Sequence, residues 1–252
     1  MARLADLNTL VTGAGAGIGR AIASRFALEG ARVAVVDRKE RNAAATVEAI
    51  RNDGGSAFAL ACDVSDESSV ARMIEAVSAE FQFLHALVNN AAIAPRLKFV
   101  RMREDQWDHV WQTNLQGAIR CTQGLLPLMQ PVGNAKIVNI ASIMVSQHAR
   151  RMTPYAASKG ALASLSRGLA VDLAPFGIRV NYICPGFIHT DMTAKYASHW
   201  LFSRYLKYRT PLRRLGRPDD VAKAAVFLAS PDADFITGEG IIVDGGMSIT
   251  FL

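Results

Sequence analysis

Thr12-Gly13-Ala14-Gly15-Ala16-Gly17-Ile18-Gly19 follows the apolar run Leu7–Val11 and leads into a helical pattern over residues 18–29. A glycine-rich turn between a strand and a helix presents backbone amides at a helix N-terminus, where they face a negatively charged group. A pyrophosphate suits such a turn. The spacing is T-G-x-x-x-G-x-G and not the commoner G-x-G-x-x-G, because Ile18 and Arg20 stand where that pattern needs its third glycine.

Outward from this turn, short β-branched runs alternate with longer helical patterns. The runs are Leu7–Val11, Arg32–Val36, Ser56–Ala61, Ala86–Val88, Lys136–Ile140, Ile178–Ile183 and Gly240–Val243. Helical patterns fall at 18–29, 40–52, 66–80, 104–130, 154–175 and 218–229. This alternation is the mark of βαβ units and a parallel sheet. It predicts one α/β domain over residues 1–252, a Rossmann-type doubly wound seven-stranded parallel sheet flanked by helices. Residues 186–216, between the sixth and seventh runs, read as an irregular insertion. Long insertions at a strand's carboxyl end are usually functional, so this one is the expected substrate loop.

Length and composition agree. The chain has 252 residues, half of them apolar, enough to bury one substantial core. Cys62, Cys121 and Cys184 are odd in number and scattered through apolar stretches, which argues for buried thiols in a reducing compartment. There is no room for a cleavable leader before Leu7, and no apolar run approaches the roughly 20 residues of a membrane span. A cytoplasmic protein without membrane contact is expected. The net charge of +6 raises nucleic acid as a partner, but the basic residues are mostly dispersed, with no basic-aromatic stripe. No nucleic-acid partner is expected. Basic residues are enriched at Arg150 and Arg151 and again from Lys195 to Arg217. No His and Cys spacing marks a metal site.

Asp37 closes the second run and Asp63 the third. An acid at the end of the second strand accepts hydrogen bonds from an adenosine ribose diol and repels a 2′-phosphate, which favours NAD over NADP. Arg38 pulls the other way, since a guanidinium there pairs with that phosphate.

Tyr155-Ala156-Ala157-Ser158-Lys159 sets a phenol and an ammonium on one helical face. Moving a phenol from a pKa of about 10 to about 7 takes roughly 4 kcal/mol of differential stabilisation. A cation about 4–5 Å away at an effective dielectric of about 20 supplies roughly that amount. The pair is therefore a candidate base.

Together with Asp63-Val64, Asn89-Asn90-Ala91-Ala92, Asn114, Asn139-Ile140-Ala141-Ser142, Pro185-Gly186, Thr190 and Val243-Asp244-Gly245-Gly246, these motifs closely resemble the short-chain dehydrogenase/reductase family over nearly the whole chain. The resemblance implies a catalytic set of Asn114, Ser142, Tyr155 and Lys159. In it Tyr155 removes the alcohol proton as hydride leaves for the nicotinamide, Ser142 hydrogen-bonds the reacting oxygen, Lys159 holds the nicotinamide ribose and lowers the phenol pKa, and Asn114 supports a water. It implies cofactor contacts from Gly13, Gly15, Gly17, Ile18, Gly19, Asp37, Arg38, Asp63, Val64, Asn90, Tyr155, Lys159, Pro185, Gly186, Ile188 and Thr190. It also implies a homotetramer, with the apolar tail Met247–Leu252 at an interface.

Substrate contacts are expected from Arg96, Ser142, Met144, His148, Arg150, Arg151 and Tyr155. Guanidinium groups and polar donors suit a hydroxylated small molecule bearing a carboxylate. The leading expectation is NAD-dependent oxidation of a secondary alcohol on a sugar acid, such as a 2-keto-3-deoxy sugar acid, or on a polyol or sugar. An NADPH-dependent carbonyl or 3-oxoacyl reductase is the alternative enzyme, and a dinucleotide-binding regulator the alternative without turnover.

Overall fold

The computed structural model describes residues 2–197 and 200–250. Strands β1 (Asn8–Thr12), β2 (Arg32–Asp37), β3 (Ser56–Ala61), β4 (Ala86–Asn89), β5 (Lys136–Ile140), β6 (Arg179–Pro185) and β7 (Gly240–Val243) form one sheet in the order β3-β2-β1-β4-β5-β6-β7. Every pairing among them is parallel. The fold matches the sequence expectation.

Both sheet faces are covered, which is why the strands read as near-continuous apolar runs. Because side chains alternate along a strand, Val11, Val33 and Val35 meet α1 (Gly17–Leu28), α2 (Glu40–Asn52) and α9 (Pro218–Ala229) on one face. Leu10, Ala34 and Val36 belong to the opposite core. There they meet α3 (Glu67–Glu80), α5 (Gly117–Met129) and α6 (Thr153–Leu173).

The chain winds outward from β1 to β3, then returns to start β4 on the other side of β1. Helices flanking that reversal lie on opposite faces, so a crevice opens above the carboxyl ends of β1 and β4. Ligands bind at such crevices in open α/β sheets.

Two stretches differ from expectation. The pattern over 104–130 predicted one helix. The structure has α4 (Glu104–Trp111), a π-helical turn (Gln112–Gln116) and α5. A single wide turn adds one residue without breaking the apolar stripe, so periodicity cannot report it. The insertion 186–216 is also more regular than expected, with α7 (Asp191–Ala197) and α8 (Trp200–Arg209). Leu206 is buried on α8, while Trp200, Leu201, Tyr205 and Tyr208 are exposed. Aromatic and basic residues on the outer face hide the amphipathic signal.

Candidate active site

A cleft of about 300 Å³ occupies the crevice. Gly13, Ala16, Gly17 and Ile18 form one wall, with Asp37 beside them. Asn90–Ala92, Ile140–Ser142, Tyr155 and Lys159 line the cleft as well, together with Pro185, Gly186, Ile188 and Thr190–Thr193.

The glycine turn is built from below. Thr12 Oγ1 accepts the amide N–H groups of Asn90 (3.0 Å) and Ala91 (3.1 Å). Asn90 Nδ2 donates to the carbonyls of Thr12 (2.9 Å) and Gly13 (3.0 Å). Gly19 leaves room for this clamp: a Cβ there would stand 2.3 Å from the Gly13 carbonyl oxygen and 2.4 Å from Asn90 Nδ2. Gly13 and Gly17 adopt φ values of 62° and 55°, which glycine reaches without strain.

Helix α1 begins in this turn with no side-chain cap and no acid in its first turn. Its orphan amides and the positive end of its dipole are thus met by no capping side chain of the helix itself. Asp37 is oriented by two amides, Gly15 N–H to Oδ2 at 3.0 Å and Lys39 N–H to Oδ1 at 2.9 Å. Uncapped amides for a pyrophosphate and a fixed carboxylate for a ribose diol fit a dinucleotide.

Five residues expected at the cofactor do not line the cleft. Gly15 supports Asp37 through its amide, and a Cβ on it would collide with Asn42 Cβ at 2.5 Å. Gly19 supports the turn. Val64 is buried against Gly117. Arg38 faces Asp63 at 3.8 Å. Burial of Asp63 acts to raise its pKa. The Ser65 hydroxyl (2.6 Å) and amide (3.0 Å) bonds, with the charge of Arg38, outweigh that and hold the carboxyl below its usual range.

At the other end of the cleft, β5 delivers Ser142, whose Oγ accepts the Met144 N–H at 3.1 Å. Helix α6 carries Tyr155 and Lys159 on one face. Lys159 Nζ lies 5.8 Å from the Tyr155 ring centre and donates to the Ile140 carbonyl at 2.6 Å. The three expected groups thus share one cleft.

The electrostatics of the protein alone differ from the sequence expectation. Burial pushes the Tyr155 phenol up, against a hydrogen bond with Ser142 that lowers it. Burial also lowers the Lys159 ammonium to about 8. Desolvation penalises both charged forms, and spacing along the helix carries no sign of it.

The lowered ammonium makes stability depend on pH. Lys159 holds its proton to pH 10.5 in the unfolded chain but only to about 8 in the fold. Between those values the unfolded chain binds the extra proton, so stability rises with pH. The full gap corresponds to about 3 kcal/mol. Lys159→Met is therefore expected to unfold at higher urea than the native protein at pH 7, with the advantage shrinking toward pH 10. An advantage unchanged over that range would contradict the buried ammonium.

Asn114 sits in the π-turn and does not line the cleft. Its Oδ1 accepts the Ile93 N–H (2.8 Å), and its Nδ2 donates to the Ile93 carbonyl (3.0 Å) and to Ser158 Oγ (3.0 Å). Ser158 Oγ in turn donates to the Tyr155 carbonyl at 2.8 Å. Asn114 thus ties the loop after β4 to the helix turn that presents the phenol.

Of the expected substrate residues, Ser142 and Tyr155 line the cleft. Met144 is half-buried, while Arg96, His148, Arg150 and Arg151 are exposed; none of these five lines it. The Leu97 N–H donates to the Arg151 carbonyl at 2.9 Å, which joins the segment bearing Arg96 to the one bearing Arg150 and Arg151. Arg151 has φ of 65°, a left-handed value uncommon for a side chain of its size.

Sequence reasoning missed the Ile140 carbonyl, Ser158, Asp191 and Thr193. Only Thr193 carried a local signal. Thr190 and Thr193 stand three apart, as in an N-terminal cap, and Thr193 Oγ1 accepts the Thr190 N–H (2.9 Å) and donates to the Ile188 carbonyl (2.6 Å). The three cysteines are free and buried, as expected. Among the described residues no cluster of three or more His, Cys, Asp and Glu stands ready for a metal, and no helix is long and apolar enough to cross a membrane.

Known proteins resemble this chain in sequence and in overall fold. The family model described as enoyl-(acyl carrier protein) reductase matches residues 13–248. The short-chain reductase protein NovJ of Streptomyces niveus is 39% identical over 243 residues, covering 94% of this chain and 92% of its own. The 3-oxoacyl-[acyl-carrier-protein] reductase FabG of Staphylococcus aureus is 39% identical over 242 residues, covering 95% and 97%. A gluconate 5-dehydrogenase from Burkholderia cenocepacia, solved in complex with NADP and tartrate, superposes with a TM-score of 0.93 at 34% identity and covers 99% of each chain. With the glycine turn, the acid that closes β2 and the Ser142, Tyr155 and Lys159 cluster in one cleft, the chain belongs to the short-chain dehydrogenase/reductase family of oxidoreductases.

Proposed function

We propose that this oxidoreductase uses NAD to oxidise a secondary alcohol to a ketone on a polar, carboxylate-bearing small molecule, with a sugar acid as the leading class. The observation that carries the reading is the single cleft joining Asp37, the uncapped start of α1 and the Ser142, Tyr155 and Lys159 cluster.

In this reading the amides of the Gly13–Gly19 turn hold the pyrophosphate and Asp37 the adenosine ribose. Pro185, Gly186, Ile188 and Thr190 flank the nicotinamide. When bound, the oxidised nicotinamide supplies the hydride acceptor and a positive charge. Ser142 Oγ donates to the substrate oxygen and Tyr155 takes its proton. Lys159 keeps its charge beside the phenol through its bond to Ile140. Asn114, through Ser158, fixes the turn that aims Tyr155.

The carboxylate preference rests on the similarity to a gluconate 5-dehydrogenase solved with tartrate, since Arg96, Arg150 and Arg151 lie outside the cleft lining, on two segments joined by the Leu97 bond to the Arg151 carbonyl. A cytoplasmic homotetramer completes the proposal. Ile242 on edge strand β7 is 54% exposed and Phe235, in the loop before that strand, fully so, two exposed apolar side chains suited to a subunit contact. The tail residues Phe251 and Leu252 lie outside the described residues.

One observation favours a second reading, an NADPH-dependent carbonyl or 3-oxoacyl reductase. A phenol held up by burial keeps its proton at neutral pH and suits donation to a carbonyl. FabG, a 3-oxoacyl-[acyl-carrier-protein] reductase, is 39% identical to this chain.

Assays of gluconate and other sugar acids, neutral polyols and a 3-oxoacyl thioester, each with both cofactors, decide between the two. Turnover of sugar acids with NAD is the expected result. Reduction of the thioester with NADPH alone would overturn it. In the same assays Asp37→Ala is expected to raise the KM for NAD about tenfold or more and to narrow the preference over NADP. The mutation removes a hydrogen-bonded carboxylate and its repulsion of a 2′-phosphate. Unchanged selectivity would remove Asp37 from that role.

A further inference from the structure

Between Asp191 and Asp219 the chain carries Lys195, Arg204, Lys207, Arg209, Arg213, Arg214 and Arg217 and not one Asp or Glu. Without that segment the net charge of +6 becomes −1, so the whole positive excess of the protein is gathered in 27 residues. The segment is the α7–α8 insertion, and its first turn forms part of the cleft through Met192 and Thr193. Helix α8 packs against α7. It therefore stands about one helix diameter, roughly 10 Å, behind the cleft wall.

The cleft itself is poorly charged for what it is read to hold. Its lining includes two carboxylates, Asp37 and Asp191, against one ammonium, Lys159. A dinucleotide brings a negative charge on each phosphate. The N-terminus of α1 contributes only about half a positive charge, effective within its first turn. Any long-range attraction comes from charge outside the lining. On α8, Arg204 and Lys207 are exposed and ion-pair with no carboxylate among the described residues. By contrast, Arg214 is neutralised by Asp220 at 2.6 Å.

We propose that the α7–α8 insertion is an electrostatic funnel, in which Arg204 and Lys207 draw the anionic dinucleotide toward the cleft without contacting it once bound. The proposal rests on the reading of the cleft as the dinucleotide site. Clustered charge of one sign raises association rates by about 10-fold or more and loses its reach as salt is added. The screening length falls from about 30 Å at 0.01 M salt to about 10 Å at 0.1 M, the separation at issue here.

Stopped-flow energy transfer from protein tryptophans to NADH, repeated with NADPH, tests this on the intact protein. The association rate constant is expected to fall about tenfold between 25 and 400 mM NaCl. The Arg204→Glu, Lys207→Glu double variant should associate about fivefold more slowly at 25 mM NaCl, with much of the salt dependence gone and dissociation within twofold of native. The charge-keeping Arg204→Lys, Lys207→Arg variant should match the native protein, which separates charge from shape. A salt-independent association rate, or native association by the charge-reversed variant, would overturn the funnel while leaving the dinucleotide site intact. An effect confined to dissociation would make the two residues contacts of the bound ligand and also overturn it. Failure to bind either dinucleotide would remove both the funnel and the reading beneath it.

Discussion

Tyr155→Phe is expected to lower kcat by more than about 10³-fold while leaving dinucleotide affinity within about twofold. A factor of 10³ is about 4 kcal/mol of transition-state stabilisation, within the range of a single positioned acid or base. The substitution removes one oxygen and keeps the ring, so the packing of the first turn of α6 and the Ser158 bond to the Tyr155 carbonyl survive. Turnover and binding should therefore separate. Steady-state rates beside fluorescence titration with NADH check both halves. Retained turnover would assign proton transfer to another group, and a joint loss of binding and turnover would make Tyr155 chiefly a cofactor contact. The pH profile carries further information. Since burial raises the phenol, oxidation should accelerate with rising pH as its proton leaves, and carbonyl reduction should slow over the same range.

Gly19→Ala should act through a different link in the chain. The new methyl would arrive 2.3 Å from the Gly13 carbonyl oxygen and 2.4 Å from Asn90 Nδ2, so the clamp between β1 and the loop after β4 must open. Alanine suits a helix better than glycine, and propensity alone would make the change stabilising by about 1 kcal/mol. Overpacking of about 1–3 kcal/mol and the loss of the Asn90 bond to Gly13 outweigh that gain. A lower Tm and a weakening of dinucleotide binding by about 100-fold are expected, measured by thermal unfolding and by titration. Native affinity in the variant would mean that the turn relaxes freely and that its glycines are not held by contact.

The sheet was legible because parallel strands covered on both faces have no polar alternation. Runs such as Arg32–Val36 and Lys136–Ile140 stand out from their helical neighbours. Tyr155, Lys159 and Ser142 were legible through the family resemblance, since an i, i+4 phenol and ammonium alone are a common surface pair and take on meaning only beside the other motifs in order. The rest depended on long-range packing. Nothing local to Ile140 announces that its carbonyl will receive the Lys159 proton donor, and nothing local to Gly19 reveals Asn90, 71 positions later, beneath it. Arg38 and Asp63 each read as a cofactor residue, and nothing local shows that they also face each other at 3.8 Å. The upward push of burial on the phenol was hidden for the same reason. Spacing reports the distance to a neighbouring charge, whereas desolvation depends on everything else that closes around the group.

The wide turn at Gln112–Gln116 fixes the length of its helix. Each residue of an α-helix advances about 100° around the axis. An extra residue in an ordinary helix would swing everything beyond it by that angle, but the wide turn takes it up within one loop of backbone, so Cys121, Leu125 and Met129, all fully buried, still face the sheet. Removing one residue there would give an unbroken helix with the same buried stripe and would take away the bulge that carries Asn114 to Ile93. A deletion in this turn should therefore cost the anchor of the loop after β4 more than it costs the core.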